Sequence, residues 1–209
     1  MLKDIVLVGA GGFGREVLWI LEENKDWNIL GFIDGSDELT GKMINGYPIL
    51  GTEEWLVNCK SEINAVICIG NPKVRKAVVD KISVNTNIKF PNIIANDVRF
   101  SKHVEFGVGN IICSSSILTV NIKLGDFNII NLSCTIGHDV NLHNYITVYP
   151  GVNISGNVEI GNETEIGTGT KIIQGLLITN NVITGAGAVV VKDLTESGTY
   201  IGVPVKKIR

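Results

Sequence analysis

His138 is the one histidine of the three in this chain that is followed directly by a carboxylate, Asp139. Imidazole is the side chain best suited to take up a proton near neutral pH, and an adjacent carboxylate can orient it and stabilise the cation that forms. The pair therefore offers general-base chemistry toward an amine or hydroxyl. A histidine that merely faces solvent has the same local pattern, so spacing alone leaves both readings open. A second candidate site lies near the start, where Gly9, Gly11 and Gly14 satisfy G-x-G-x-x-G within Gly9-Ala10-Gly11-Gly12-Phe13-Gly14, and Asp34 stands twenty residues after Gly14. Glycines let backbone approach a phosphate, a helix N-terminus supplies N–H groups, and an acid after the next strand can hold ribose hydroxyls. A tight turn without ligand is the competing reading of this loop.

The elements that must position these groups have two different periods. Asp4–Val8 is a continuous apolar run suited to a buried parallel strand, and helical spacing follows over 15–24. Strands are expected at 29–33 and 65–69, with a loop and a short helix at 53–58 between them. Gly70-Asn71-Pro72 then leads into a helix over 73–81. This is an α/β unit with room for one mononucleotide-binding half, so a nucleotide sugar suits it better than a dinucleotide. Gly11, Gly12, Phe13, Gly14, Asp34, Gly70 and Asn71 are its candidate substrate contacts.

From Phe100 the chain changes register. Stepping by six from Phe100 to Val190 gives sixteen positions, of which only Thr184 is not large and apolar. Composition alone would place about seven apolar residues there. A six-residue beat is neither helical nor that of a flat strand, but it is that of a triangular parallel β-helix with three hexads per coil. Sixteen hexads over 98–193 make roughly five coils. The expected domains are thus an α/β unit over 1–90, a β-helix over 91–193 and a tail over 194–209 that leaves the prism. His138 lies two residues after the Ile136 beat, on the outward side of a coil.

Zinc held by three histidines, as in the γ-type carbonic anhydrases, is a further possibility for such a fold. It requires two histidines in the same phase two coils apart. His103 and His138 are 35 residues apart (138 − 103), one short of two 18-residue coils. No metal is expected.

The totals narrow the partners. A net charge of −3 offers no basic footprint for nucleic acid. No apolar run is long enough to span a bilayer, and the start MLKDIVLVGAGG is not a signal peptide. Cys59, Cys68, Cys113 and Cys134 have no pairing or metal-type spacing and read as small hydrophobes. The chain is expected to be cytoplasmic.

The order of GAGGFG, Asp34, Ile69-Gly70-Asn71, Asn131, Ile136-Gly137-His138-Asp139, Val152-Asn153-Ile154-Ser155-Gly156-Asn157-Val158 and the Gly-Val-Pro tail resembles one family across essentially the whole chain. It is that of the bacterial left-handed β-helix sugar acetyltransferases, the group containing PglD, PerB and NeuD. The resemblance implies a homotrimer with acetyl-CoA between adjacent prisms and a nucleotide-sugar acceptor held by the N-terminal unit. His138 would be the catalytic base, Asp139 its acidic neighbour and Asn131 a polar residue one hexad upstream. Gly156 would give a backbone N–H to the thioester carbonyl. Thr168, Gly185 and Ala186 would line the pantetheine path, and Pro204 and Lys206 would close over the cofactor. Phe13 stands where many members carry histidine in GxGGHx, and Thr147 where PglD-like members carry a second one. The implied activity is N-acetylation of a nucleotide-linked 4-amino-4,6-dideoxy sugar for surface glycans, the base and the sugar being unspecified. O-acetylation of sialic acid, and a non-catalytic scaffold, are the alternatives.

Overall fold

The computed structural model describes residues 2–209, which divide into two compact units, one running to Asn96 and the other beginning at Asp97. The first contains β1 (Lys3–Val8), α1 (Gly12–Glu23), β2 (Trp27–Ile33), β3 (Met43–Ile44), β4 (Tyr47–Gly51), α2 (Glu53–Val57), β5 (Ile63–Ile67), α3 (Pro72–Ile82) and β6 (Ile88–Lys89). Its sheet runs β3-β4-β2-β1-β5-β6 and is parallel except for the β3–β4 pair. Ile5, Val6 and Leu7 of the central strand are fully buried, as a strand covered on both faces must be. Strand order reverses at β1, with β2 on one side and β5 on the other. The loops after β1 and β5 therefore flank a topological switch point, the usual ligand crevice of open α/β sheets.

Two details differ from expectation. The expected loop before α2 contains the β3–β4 hairpin, turned by Asn45 (φ 47°) and Gly46 (φ 87°). Asn-Gly is a preferred pair where both central residues need positive φ. The unit also extends past residue 90, because β6 pairs with β5 and Asn96 donates to the Glu23 carbonyl at the end of α1.

In the second unit every beat residue from Phe100 to Val190 is the last residue of a short strand. Strands ending at Phe100, Leu118, Ile136, Ile154, Ile172 and Val190 form a first sheet, and those ending at Phe106, Leu124, Leu142, Ile160 and Ile178 a second. A third carries those ending at Ile112, Ile130, Val148, Ile166 and Thr184. Neighbours pair in parallel at a constant offset of 18, for example Ile117↔Thr135 and Lys123↔Asn141. Three hexads thus close one coil.

The corners have a period of their own. Every sixth residue from Gly109 to Gly187 has φ between 54° and 79°. Asparagine, aspartate and glycine tolerate this left-handed region, but Phe127 (φ 54°) and Tyr145 (φ 57°) occupy it too. Their rings stack at 5.2 Å. Asparagine ladders satisfy the corner amides: Asn144 and Asn162 side chains accept from the N–H groups of Asp126 and Asn144, one coil away. Asn128 is fully buried, accepts from the Ile146 N–H (2.8 Å) and donates to the His143 carbonyl (2.8 Å). Asn128→Ala would strand both groups in the core. We expect it to destabilise the coil unit by about 2–4 kcal/mol, read as a lowered midpoint in denaturant, while Asn141→Ala on the outer surface changes it little.

Thr184 breaks the apolar beat for a visible reason. Its hydroxyl accepts from the Gly167 N–H (2.9 Å) and meets the Thr170 hydroxyl (3.1 Å), so this buried pair is mutually satisfied. The tail does not leave the prism as expected. Gly198–Ile201 pairs in parallel with Val182–Thr184, and Lys206–Lys207 folds back on Tyr200–Ile201, so the tail extends the third sheet. Cys68, Cys113 and Cys134 are buried, and burial pushes the Cys134 thiol up to about 11. No helix among the described residues is long and apolar enough to cross a membrane.

Candidate active site

His138 and Asp139 occupy the corner between the first and second sheets, where the chain leaves the Thr135–Ile136 strand. Asp139 is itself a left-handed corner residue (φ 58°), and both side chains are about half exposed. His138 Nδ1 lies 2.8 Å from Asp139 Oδ2, and Asn121 Nδ2 donates to Asp139 Oδ1 at 3.0 Å. These two contacts, the histidine first, hold the Asp139 carboxyl below its usual range, so it is ionised at neutral pH. A carboxylate can only accept, so the imidazole proton belongs on Nδ1 and the Nε2 lone pair is left for a substrate proton.

Gly156 lies one coil above His138 in the same column. A Cβ built on it would sit 2.4 Å from both Cε1 and Nε2 of His138. The imidazole therefore lies directly over Gly156, where any side chain would push the ring aside. Asn157 N–H donates to the His138 carbonyl (2.8 Å), which locks the two corners in register. The Gly156 N–H has no hydrogen-bond partner among the described residues. Beside the pair an open groove of about 380 Å³ is lined by Asp139, Asn141, Asn157, Glu159, Leu177 and Asp193.

Asp139→Asn keeps the shape of the corner but removes the charge that stabilises an imidazolium. We expect a rate loss of about tenfold or more, part of the 10²–10⁴ that acid–base catalysis contributes, with unchanged thermal stability. Unchanged turnover would take Asp139 out of the chemistry.

The remaining expected residues of this unit gather elsewhere. Asn131, Thr168, Gly185 and Ala186 all lie at the corner between the third and first sheets. One chain does not bring Asn131 to His138. Asn131 is 9% exposed, and its side-chain oxygen accepts the Leu132 N–H at 2.7 Å. Gly185 donates to the Tyr200 carbonyl, and a Cβ there would press on Ile201 at 2.8 Å, so the tail with Pro204 and Lys206 packs at this same corner. Thr168 accepts the Gly187 N–H through its carbonyl, and Ala186 is exposed. Thr147 is buried in its strand. His143 Nε2 faces Glu159 Oε1 at 2.8 Å, a different carboxylate from that of His138. Among the described residues no group of three or more His, Cys, Asp or Glu is arranged to hold a metal.

In the first unit the Gly-rich loop joins β1 to α1. A Cβ on Gly14 would fall 2.1 Å from the Gly9 carbonyl, which explains the glycine there as close helix–strand packing. Gly11 precedes the helix, and the first turn from Gly12 and Phe13 has neither a side-chain cap nor an acid. Asp34 serves the loop itself: one oxygen accepts the Ala10 N–H (2.9 Å) and the other the Ser36 N–H (3.1 Å). Asn71 caps α3 by accepting the Val74 N–H at 3.1 Å. The side chains of Asp34 and Asn71 are thus engaged in shaping the two loops. Sequence reasoning passed over Arg75, which is 1% exposed beneath the β5–α3 loop.

The profile of the PglD N-terminal domain matches residues 4–82. The GDP-perosamine N-acetyltransferase of Escherichia coli O157:H7 is 31% identical over 116 residues, a stretch covering 51% of this chain and 49% of that protein. The match therefore spans about half the length of the curated relative. Solved structures match over almost the whole chain. WeeI from Acinetobacter baumannii AYE is 30% identical with a TM-score of 0.90, covering 99% of this chain and 100% of its own. PerB from Caulobacter crescentus, in complex with CoA and GDP-perosamine, is 25% identical with a TM-score of 0.91, covering 100% of this chain and 99% of its own.

Proposed function

Because this chain belongs to the PglD/PerB family of left-handed β-helix sugar acetyltransferases, we propose that it moves the acetyl group of acetyl-CoA to the amine of a nucleotide-linked 4-amino-4,6-dideoxy sugar. The observation that carries the chemistry is the His138–Asp139 pair resting on Gly156, whose N–H is unspent. The acceptor nitrogen attacks the thioester carbonyl while His138 Nε2 takes its proton. The carbonyl oxygen gains negative charge and accepts from the Gly156 N–H, a kind of contact worth about 3 kcal/mol in known enzymes. Collapse of the tetrahedral intermediate breaks the C–S bond, and the imidazolium proton goes to the departing thiolate. The acetyl group passes directly, with no enzyme-bound intermediate.

A homotrimer accounts for the split of the site between two corners. If the third-to-first corner of one prism faces the first-to-second corner of its neighbour, Asn131, Thr168, Gly185, Ala186 and the tail join His138 across the interface. Acetyl-CoA would then lie between prisms, with Pro204 and Lys206 over it. The Gly11–Gly14 and Gly70–Asn71 loops receive the diphosphate at the switch point of the α/β sheet. The N-acetylating, GDP-perosamine-bound relatives favour an amino-sugar acceptor over sialic acid. Acetyl-CoA and nucleotide sugars are cytoplasmic compounds, and the enzyme works there.

The test is CoA release from acetyl-CoA with GDP-, UDP- and dTDP-linked 4-amino sugars, CMP-sialic acid and free sialic acid. Turnover with one amino-sugar nucleotide is expected. Reaction with the sialic acids alone would replace this reading by O-acetylation. Silence across the panel, together with no binding of acetyl-CoA, would leave a scaffold.

A further inference from the structure

Arg75 is fully buried (1% exposed), yet its guanidinium is turned toward the loop that follows β5. Its Nη1 donates to two successive carbonyls, Ile69 O at 2.6 Å and Gly70 O at 2.9 Å. Both peptide bonds after these carbonyls are trans, since the one cis bond among the described residues is Val203–Pro204. In a planar trans peptide the N–H points opposite to the C=O. Drawing the two carbonyls inward onto Arg75 therefore turns the N–H groups of Gly70 and Asn71 outward, over the carboxyl edge of β5. The Asn71 N–H meets no acceptor among the described residues; in capping α3, Asn71 only accepts, from the Val74 N–H through its side chain and from the Arg75 N–H through its carbonyl. Across the switch point the loop touches Gly9, where a Cβ would lie 2.9 Å from the Cys68 carbonyl.

We infer that Arg75 is the positioning residue of the acceptor site: it holds the Ile69–Asn71 loop with the Asn71 amide facing the diphosphate and adds a buried positive charge behind it. This rests on the nucleotide-sugar reading above. A lysine could keep the charge, but its flexible ammonium lacks the planar guanidinium that aims Nη1 at both carbonyls. The role is distinct from substrate contact, since the side chain itself is sealed from solvent.

The experiment combines calorimetric binding of GDP, UDP and dTDP with backbone amide NMR of the full chain. In the wild type, the diphosphate that binds should shift the Asn71 amide resonance strongly. Arg75→Met and Arg75→Lys should each bind it about tenfold more weakly, the scale of one lost hydrogen bond to a charged group. The nucleotide-sugar KM should rise in step while kcat and the acetyl-CoA KM hold. A wild-type complex with an unmoved Asn71 amide overturns the proposal whether or not the variants fold, as does undiminished binding by folded Arg75→Lys. If the wild type binds none of the three nucleotides, the acceptor reading itself fails, and this inference with it.

Discussion

His138→Ala is expected to lower kcat by about 10²–10⁴, the share that a positioned general base contributes, while the acetyl-CoA KM stays near the wild-type value. The expectation follows from geometry. Asp139 and Asn121 fix the ring through Nδ1, and Nε2 is the one basic atom that the corner presents outward. The side chain is half exposed and carries no core packing, so the loss should come without a fall in thermal stability. A kcat within threefold of wild type would show that the proton leaves the acceptor by another route. Supplying imidazole in solution to His138→Ala gives a second reading, since partial recovery is expected only if a base is what is missing.

Gly156→Ala should be nearly as damaging, although it adds only a methyl group to a residue with no side chain of its own. The new carbon would stand 2.4 Å from Cε1 and Nε2, about 1 Å inside ordinary contact, so the ring must move. Displacing a catalytic group by about 1 Å costs on the order of 10²-fold in rate. His138→Ala/Gly156→Ala should be little worse than His138→Ala alone, because the methyl acts through the ring. Fully additive losses would separate the two residues. They would then place the effect of the methyl on the approach of the acyl donor and not on the ring.

The beat at Phe100–Val190 made the coils legible because burial in a narrow prism admits one large side chain per hexad, and each such residue ends a strand. Thr184 was the exception, and a hydroxyl pair invisible in the sequence explains it. The pairing of His138 with Asp139 could be read from adjacency. Its glycine floor could have been read from 138 + 18 = 156, and the division of the site from the same arithmetic, since Asn131 shares a column with Gly185 and not with His138. Other features had no such key. An Asn-Gly pair signals a hairpin, but the strands beside it, Met43–Ile44 and Tyr47–Gly51, are too short to stand out. Arg75 sits in a helix otherwise patterned with lysines, and only its burial singles it out. Asp34 and Asn71 have side chains that suit a ligand equally well as they suit a neighbouring backbone amide, and the fold uses them for the latter.

The unbroken eighteen-residue offset has a consequence for how such a chain can change length. Adding or losing one residue within a coil would rotate every later corner out of its column, turning core residues to the surface and separating stacked asparagines. Growth and loss are therefore quantised in whole turns, each worth about 4.8 Å along the axis, the spacing of neighbouring strands. The solenoid acts as a ruler with that graduation. Between the His138 turn and the tail that extends the third sheet, the number of graduations sets a distance. Inserting or deleting a single whole period would change that distance while leaving every corner residue in phase.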